Sequence, residues 1–179
     1  MTLLAAAVAL VGIVGLLNLL LVLAVVRRLR EHGDQLAALH AAGPMTDLDP
    51  SVHVGRSLPE FAARTVDGRP IDTAALRGDR WLVGFFSVGC EPCHEQAPEF
   101  AARAAAGERV LAIVVGDPAG DDLPALLTGV DNVVVETSPD GTAARFGVGA
   151  FPTLLEYAPD GTVVGAAGTV VGLDRRVPV

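Results

Sequence analysis

The chain's two cysteines stand three residues apart in Cys90-Glu91-Pro92-Cys93, where an apolar run gives way to a helical pattern. The run Trp81-Leu82-Val83-Gly84-Phe85-Phe86 is short and mostly apolar, as a strand covered on both faces should be. From about Pro92 to Ala106 the sequence is rich in alanine, with Ala97, Phe100 and Ala101 at helical spacing. A strand that runs through Ser87-Val88-Gly89 into Cys90, and then into a helix, places the pair at a strand's carboxyl end. Open α/β sheets put their chemistry there.

That placement divides the work between the two sulfurs. The unpaired amides and the dipole at a helix N-terminus favour an anion, so the Cys90 thiolate is stabilised and Cys90 is the expected nucleophile. Cys93, one turn further on, can attack the mixed disulfide that Cys90 forms and release the partner, leaving a Cys90–Cys93 bridge. Pro92 suits the first helical turn, where its missing amide costs nothing. Other uses of the pair fit less well. A zinc site needs four ligands and there is no second cysteine pair. A copper site would need a later histidine or methionine, and neither follows His94. Peroxidase chemistry of the peroxiredoxin kind would want a proline where Val83 stands. No metal and no organic cofactor is expected. His94 reads as a solvated helix residue close enough to the pair to modulate it.

The flanking sequence completes an α/β pattern. Asp67-Gly68 between Phe61–Thr65 and Arg69–Ile71 suits a tight hairpin. Asp72–Arg77 can form a capped helical turn that Gly78 ends. Further strands are expected at 109–115, 132–135, 153–157 and 162–165. Short helices are expected after Asp121 or Asp122 and after Asp140-Gly141, and Ala158-Pro159-Asp160-Gly161 reads as a hairpin turn. Strands alternating with helices and then a terminal hairpin predict an α/β sandwich with a mixed central sheet.

The N-terminus has a different character. From Thr2 to Val26 no residue is charged, and only Thr2 and Asn18 are clearly polar, which is long enough to cross the hydrocarbon layer as a helix. A cleaved signal would want its positive charge before a shorter apolar stretch, whereas Arg27, Arg28 and Arg30 come after it, so a retained anchor is the preferred reading. The expected organisation is a transmembrane anchor at 2–26, a juxtamembrane helix and linker at 27–56, and a catalytic domain at 57–179. The net charge is −8 and all 13 basic residues are arginine, which argues against a basic nucleic-acid-binding surface and removes lysine chemistry.

The order "FAARTVDGRPIDTAALRGDRWLVGFFSVGCEPC" and then "GVGAFPTLLEYAPDGTVV" resembles the TlpA/ResA group of thioredoxin-like proteins, over nearly all of residues 57–167. The uncharged span followed by "VVRRLREHGDQLAAL" adds a looser similarity to MauD, the membrane-bound accessory protein of methylamine dehydrogenase maturation. The resemblance implies a thioredoxin-like fold in which Pro152 is a cis-proline facing the disulfide, with the Phe151 backbone free to pair with an extended client segment beside Cys90. It also marks departures. Gly89 stands where the group has tryptophan, leaving the rim less covered. Gln96 stands where a glutamate assists proton movement, so that task would fall to water or to Glu91. Gly84 replaces the buried aspartate of thioredoxins. Only Thr169–Val179 follows Gly168, so a closing helix should be very short or missing and one sheet face poorly covered.

The expected function is thiol-disulfide exchange with cysteines of client proteins, or electron transfer between a membrane donor and such clients. A client-specific maturation factor acting chiefly as a chaperone is the alternative. The arginines after the span would by themselves retain the domain in the cytoplasm. The resemblance, and the prevalence of disulfide chemistry in oxidising compartments, place it outside a single-pass cell-membrane anchor.

Overall fold

Along Trp81–Ser87 successive side chains enter two different cores, and the rest of the fold is built around that strand. The computed structural model describes Gly12, residues 49–138 and residues 141–175. The proposed anchor, Gly12 apart, and the segment up to residue 48 lie outside these, as does the Pro139-Asp140 step. No helix among the described residues is long and apolar enough to cross a membrane.

The strands are β1 (Ala62–Arg64), β2 (Pro70–Asp72), β3 (Trp81–Ser87), β4 (Val110–Val115), β5 (Val133–Glu136), β6 (Thr153–Tyr157) and β7 (Val163–Ala167). The α-helices are α1 (Glu91–Ala105), α2 (Leu123–Leu126), α3 (Thr142–Arg145) and α4 (Val170–Asp174). β1 and β2 form the opening antiparallel hairpin, and the other five strands form one sheet in the order β5-β4-β3-β6-β7. β3, β4 and β5 run parallel, while β6 and β7 are antiparallel to their neighbours, which makes the sheet mixed. The expected hairpin between the last two strands forms, with Ala158 donating to the Thr162 carbonyl across the turn. This is the thioredoxin-like α/β arrangement, with β3 central and its carboxyl end feeding α1.

The period of two along β3 sorts the cores. Trp81, Val83 and Phe85 join Leu76, Leu111, Ile113, Phe146, Leu155 and Tyr157 on the face covered by the hairpin and α3. Leu82 and Phe86 join Cys93, Ala97, Phe100, Leu123, Leu127 and Leu154 on the face covered by α1 and α2. Gly84 belongs to the second face. A Cβ there would lie 2.6 Å from Phe100 Cε2 and 2.7 Å from Phe86 Cε2, so the position where thioredoxins carry an aspartate is filled by an edge-to-face phenylalanine pair with centroids 5.3 Å apart.

The second face is better covered than the short C-terminal segment suggested. Thr169 caps α4 by accepting the Gly172 amide, and Val170 and Leu173 are buried in the same core as Phe86 and Phe100. Five residues suffice because both inward-facing side chains are large and apolar, and because Gln96 on α1 accepts the Val170 amide at 2.9 Å.

Candidate active site

Cys90 is the N-cap of α1, in extended conformation, and its sulfur takes the place of a capping oxygen by accepting the Cys93 amide at 3.3 Å. The two cysteines form a disulfide with Cα atoms 5.2 Å apart. Their surroundings differ. Cys90 is partly exposed, whereas Cys93 is fully buried among Phe86, Ala97 and Phe100, its sulfur, besides the disulfide bond, accepting the Ser87 amide at 3.5 Å. Burial in apolar surroundings raises a thiol's pKa, and a helix N-terminus lowers it. This arrangement suits Cys90 to attack and Cys93, covered one turn on, to resolve.

Across the site the Phe151–Pro152 peptide is cis, and the Phe151 carbonyl oxygen lies 3.7 Å from Cys90 Sγ. Phe151 and Pro152 are half-buried, with Phe151 packed against both cores. Gly89 is exposed, with φ 69°, a left-handed conformation in which a tryptophan would be strained. Pro92 lies in the first turn, and both it and Glu91 are exposed. Gln96 is half-buried and its amide oxygen serves α4 rather than a cysteine.

His94 is held more tightly than a solvated helix residue. Its Nδ1 lies 2.9 Å from the Cys90 carbonyl, and its Nε2 lies 2.9 Å from Asp121 Oδ1 and 3.0 Å from Asp122 Oδ1. The Cys90 carbonyl first, and then the Asp121 and Asp122 carboxylates, hold its imidazole above the ordinary value of 6.5 against the opposing effect of partial burial. Asp121 accepts the Leu123 amide at 2.8 Å and the Gly89 amide at 2.7 Å, and these bonds, with His94, hold its carboxyl below the ordinary 3.8. Sequence reasoning saw Asp121 only as a helix cap. Its link to His94 spans 27 residues, and no local pattern marks it.

The ligand atoms of His94, Asp121 and Asp122 all lie within 4.8 Å of one another, close enough to share a cation. Asp121 already uses both oxygens on backbone amides, which leaves it a poor donor. The spacing Cys90-x-x-Cys93-His94 also matches a c-type haem attachment site. The burial of Cys93 in the core beneath α1 does not suit a sulfur that must reach a haem edge.

No protein-family model and no curated protein sequence matches the chain. Among solved structures, a thiol:disulfide interchange protein of the thioredoxin family from Chlorobium tepidum TLS is similar, with 25% identity, a TM-score of 0.53, and coverage of 68% of this chain and 92% of that one. The thioredoxin domain of a thiol-disulfide oxidoreductase from Bacteroides vulgatus shares the fold at 19% identity and a TM-score of 0.52, covering 67% of this chain and 91% of that one. The first likeness and the Cys90–Cys93 disulfide at the head of α1 together identify dithiol/disulfide exchange as the chemistry of this site.

Proposed function

We propose that this thiol-disulfide oxidoreductase is a TlpA/ResA-type enzyme, anchored by residues 2–26 in the cell membrane and acting on protein clients outside the cytoplasm. The single observation that carries the exchange reading is the asymmetry within one disulfide. Cys90 caps a helix at the surface, and Cys93 lies fully buried one turn on. In the reducing direction the Cys90 thiolate attacks a client disulfide, forming a Cys90–client bond and expelling one client thiolate. Cys93 then gives its proton to solvent and attacks the Cys90 sulfur, expelling the second client thiolate. Two electrons pass from the dithiol to the client, and the reverse sequence oxidises a client dithiol. An extended client segment lies along Phe151, Pro152 and Gly89, where the Phe151 carbonyl beside Cys90 offers a backbone acceptor.

The test of exchange is a trap. In Cys93→Ser the attack proceeds and release does not, so a mixed disulfide through Cys90 accumulates and mass spectrometry names the client. Cys90→Ser should trap little. Equal trapping by both variants would sink the mechanism, as would no trapping together with no insulin reduction by the wild type. The maturation-factor reading would then replace it. The uncharged Thr2–Val26 stretch and the family resemblance support the anchor and its orientation. An alkaline phosphatase fusion after Gly43 should be active. An inactive fusion, with a cytoplasmic reporter active at the same point, would reverse the orientation.

A further inference from the structure

Exchange as derived above uses Cys90 and Cys93 and gives no task to His94. Yet each ring nitrogen of His94 faces an accepting oxygen, the Cys90 carbonyl at Nδ1 and the Asp121 and Asp122 carboxylates at Nε2. Protons on both nitrogens satisfy all three contacts, so the arrangement favours the imidazolium. Asp121 in turn grips the Gly89 amide. One carboxylate from the loop after β4 thus holds the residue before Cys90 and the residue after Cys93.

We propose that His94 is a positioning residue of the exchange reaction, its imidazolium held by Asp121 so that it stabilises the Cys90 thiolate of the reduced enzyme. This rests on the exchange reading. The Cys93 amide already favours the thiolate, and the imidazolium adds a full positive charge bonded to the carbonyl of the reacting residue. Without that charge, Asp121 and Asp122 would stand beside the motif as two uncompensated carboxylates, and like charge raises a thiol's pKa. The ionisable groups bonded to the ring are these two carboxylates, from the loop before α2, and on its own helix the ring meets the carbonyl of Cys90, the residue whose thiol forms on reduction. Glu91 and Glu95 are exposed and make no bond to it. Asp122, whose side chain is 75% exposed, contributes less than Asp121 at 14%.

The experiment measures iodoacetamide alkylation of the reduced full-length chain against pH, in wild type, His94→Gln and Asp121→Asn. The wild type should show two inflections, one for Cys90 and one for His94. His94→Gln should lose the second and raise the Cys90 pKa by roughly one unit, slowing alkylation near pH 6 by about tenfold. Asp121→Asn should instead shift the His94 inflection to lower pH, and Asp122→Asn should do so by less. In case a variant fails to fold, the His94 titration in the wild type is followed by NMR. Reciprocity requires a higher His94 pKa in the reduced than in the oxidised enzyme. An unchanged Cys90 pKa in folded His94→Gln, or equal His94 values in the two redox states, overturns the proposal while leaving exchange intact. A wild-type Cys90 with no reactive thiolate overturns both.

Discussion

The carbonyl oxygen of Phe151 lies 3.7 Å from the sulfur of Cys90, although 61 residues separate the two in the chain. β6 runs antiparallel to β3, so the loop that precedes β6 must arrive at the end of the sheet where β3 delivers the cysteines. The Cys90 sulfur thus lies between a helix N-terminus and a backbone acceptor.

Burial of Cys93 predicts a kinetic difference between the thiols. In Cys90→Ser, alkylation of the remaining Cys93 near neutral pH should be at least about tenfold slower than alkylation of Cys90 in Cys93→Ser, since one unit of pKa is tenfold in thiolate. Stopped-flow alkylation reads this directly, and equal rates would contradict the burial.

Gly84 tests how the sheet meets α1. In an open strand, alanine would gain roughly 0.5–1 kcal/mol over glycine. Here a Cβ would come within 2.6 Å of Phe100 and 2.7 Å of Phe86, both fully buried, so overpacking reverses the sign. Gly84→Ala should destabilise by about 1–3 kcal/mol in denaturant titration, and Gly84→Asp by more, because it adds an unpaired charge in the same space. A variant as stable as wild type would show that the two rings move freely.

Gln96→Ala should cost about 1 kcal/mol, because the Val170 amide loses its acceptor at the start of α4. Gln96→Glu keeps an acceptor and adds a negative charge at a helix N-terminus, so it should be at least as stable as wild type. Hydrogen exchange at the Val170 amide distinguishes the two, being faster only in the alanine variant.

The His94–Asp121 pair makes stability depend on pH in opposite directions. The folded His94 value is raised, so its contribution is complete below 6.5 and is lost as pH rises through the folded value. The folded Asp121 value is lowered, so its contribution is present above 3.8 and is lost as pH falls through the folded value. Melting of the oxidised chain should decline above pH 6.5 in a way that His94→Gln lacks. Parallel curves for the two proteins across that range would show that the ring contributes nothing to folding.

Much of this was legible locally. The apolar run at 81–86 became β3 with one residue added, the helix expected from Pro92 begins at Glu91, and the strand expected at Thr153–Tyr157 has those bounds. Each rests on periodicity or on a terminus signal carried within a few residues. The closing helix was the weakest expectation, because a five-residue helix has almost no period to read and depends on Gln96, 74 residues away.

The sequence by itself determined that two cysteines would open a helix at the end of a buried strand, the placement that favours a thiolate at the first of them. Adjacent residues set that placement. Only the tertiary structure decided what surrounds the Cys90 sulfur. The parallel crossover from β3 to β4 brings Asp121 to Gly89 and His94, and the antiparallel return of β6 brings Phe151 to Cys90. Those contacts join residues whose own neighbourhoods say nothing of one another, because the order of strands in the sheet, rather than distance along the chain, sets which side chains meet.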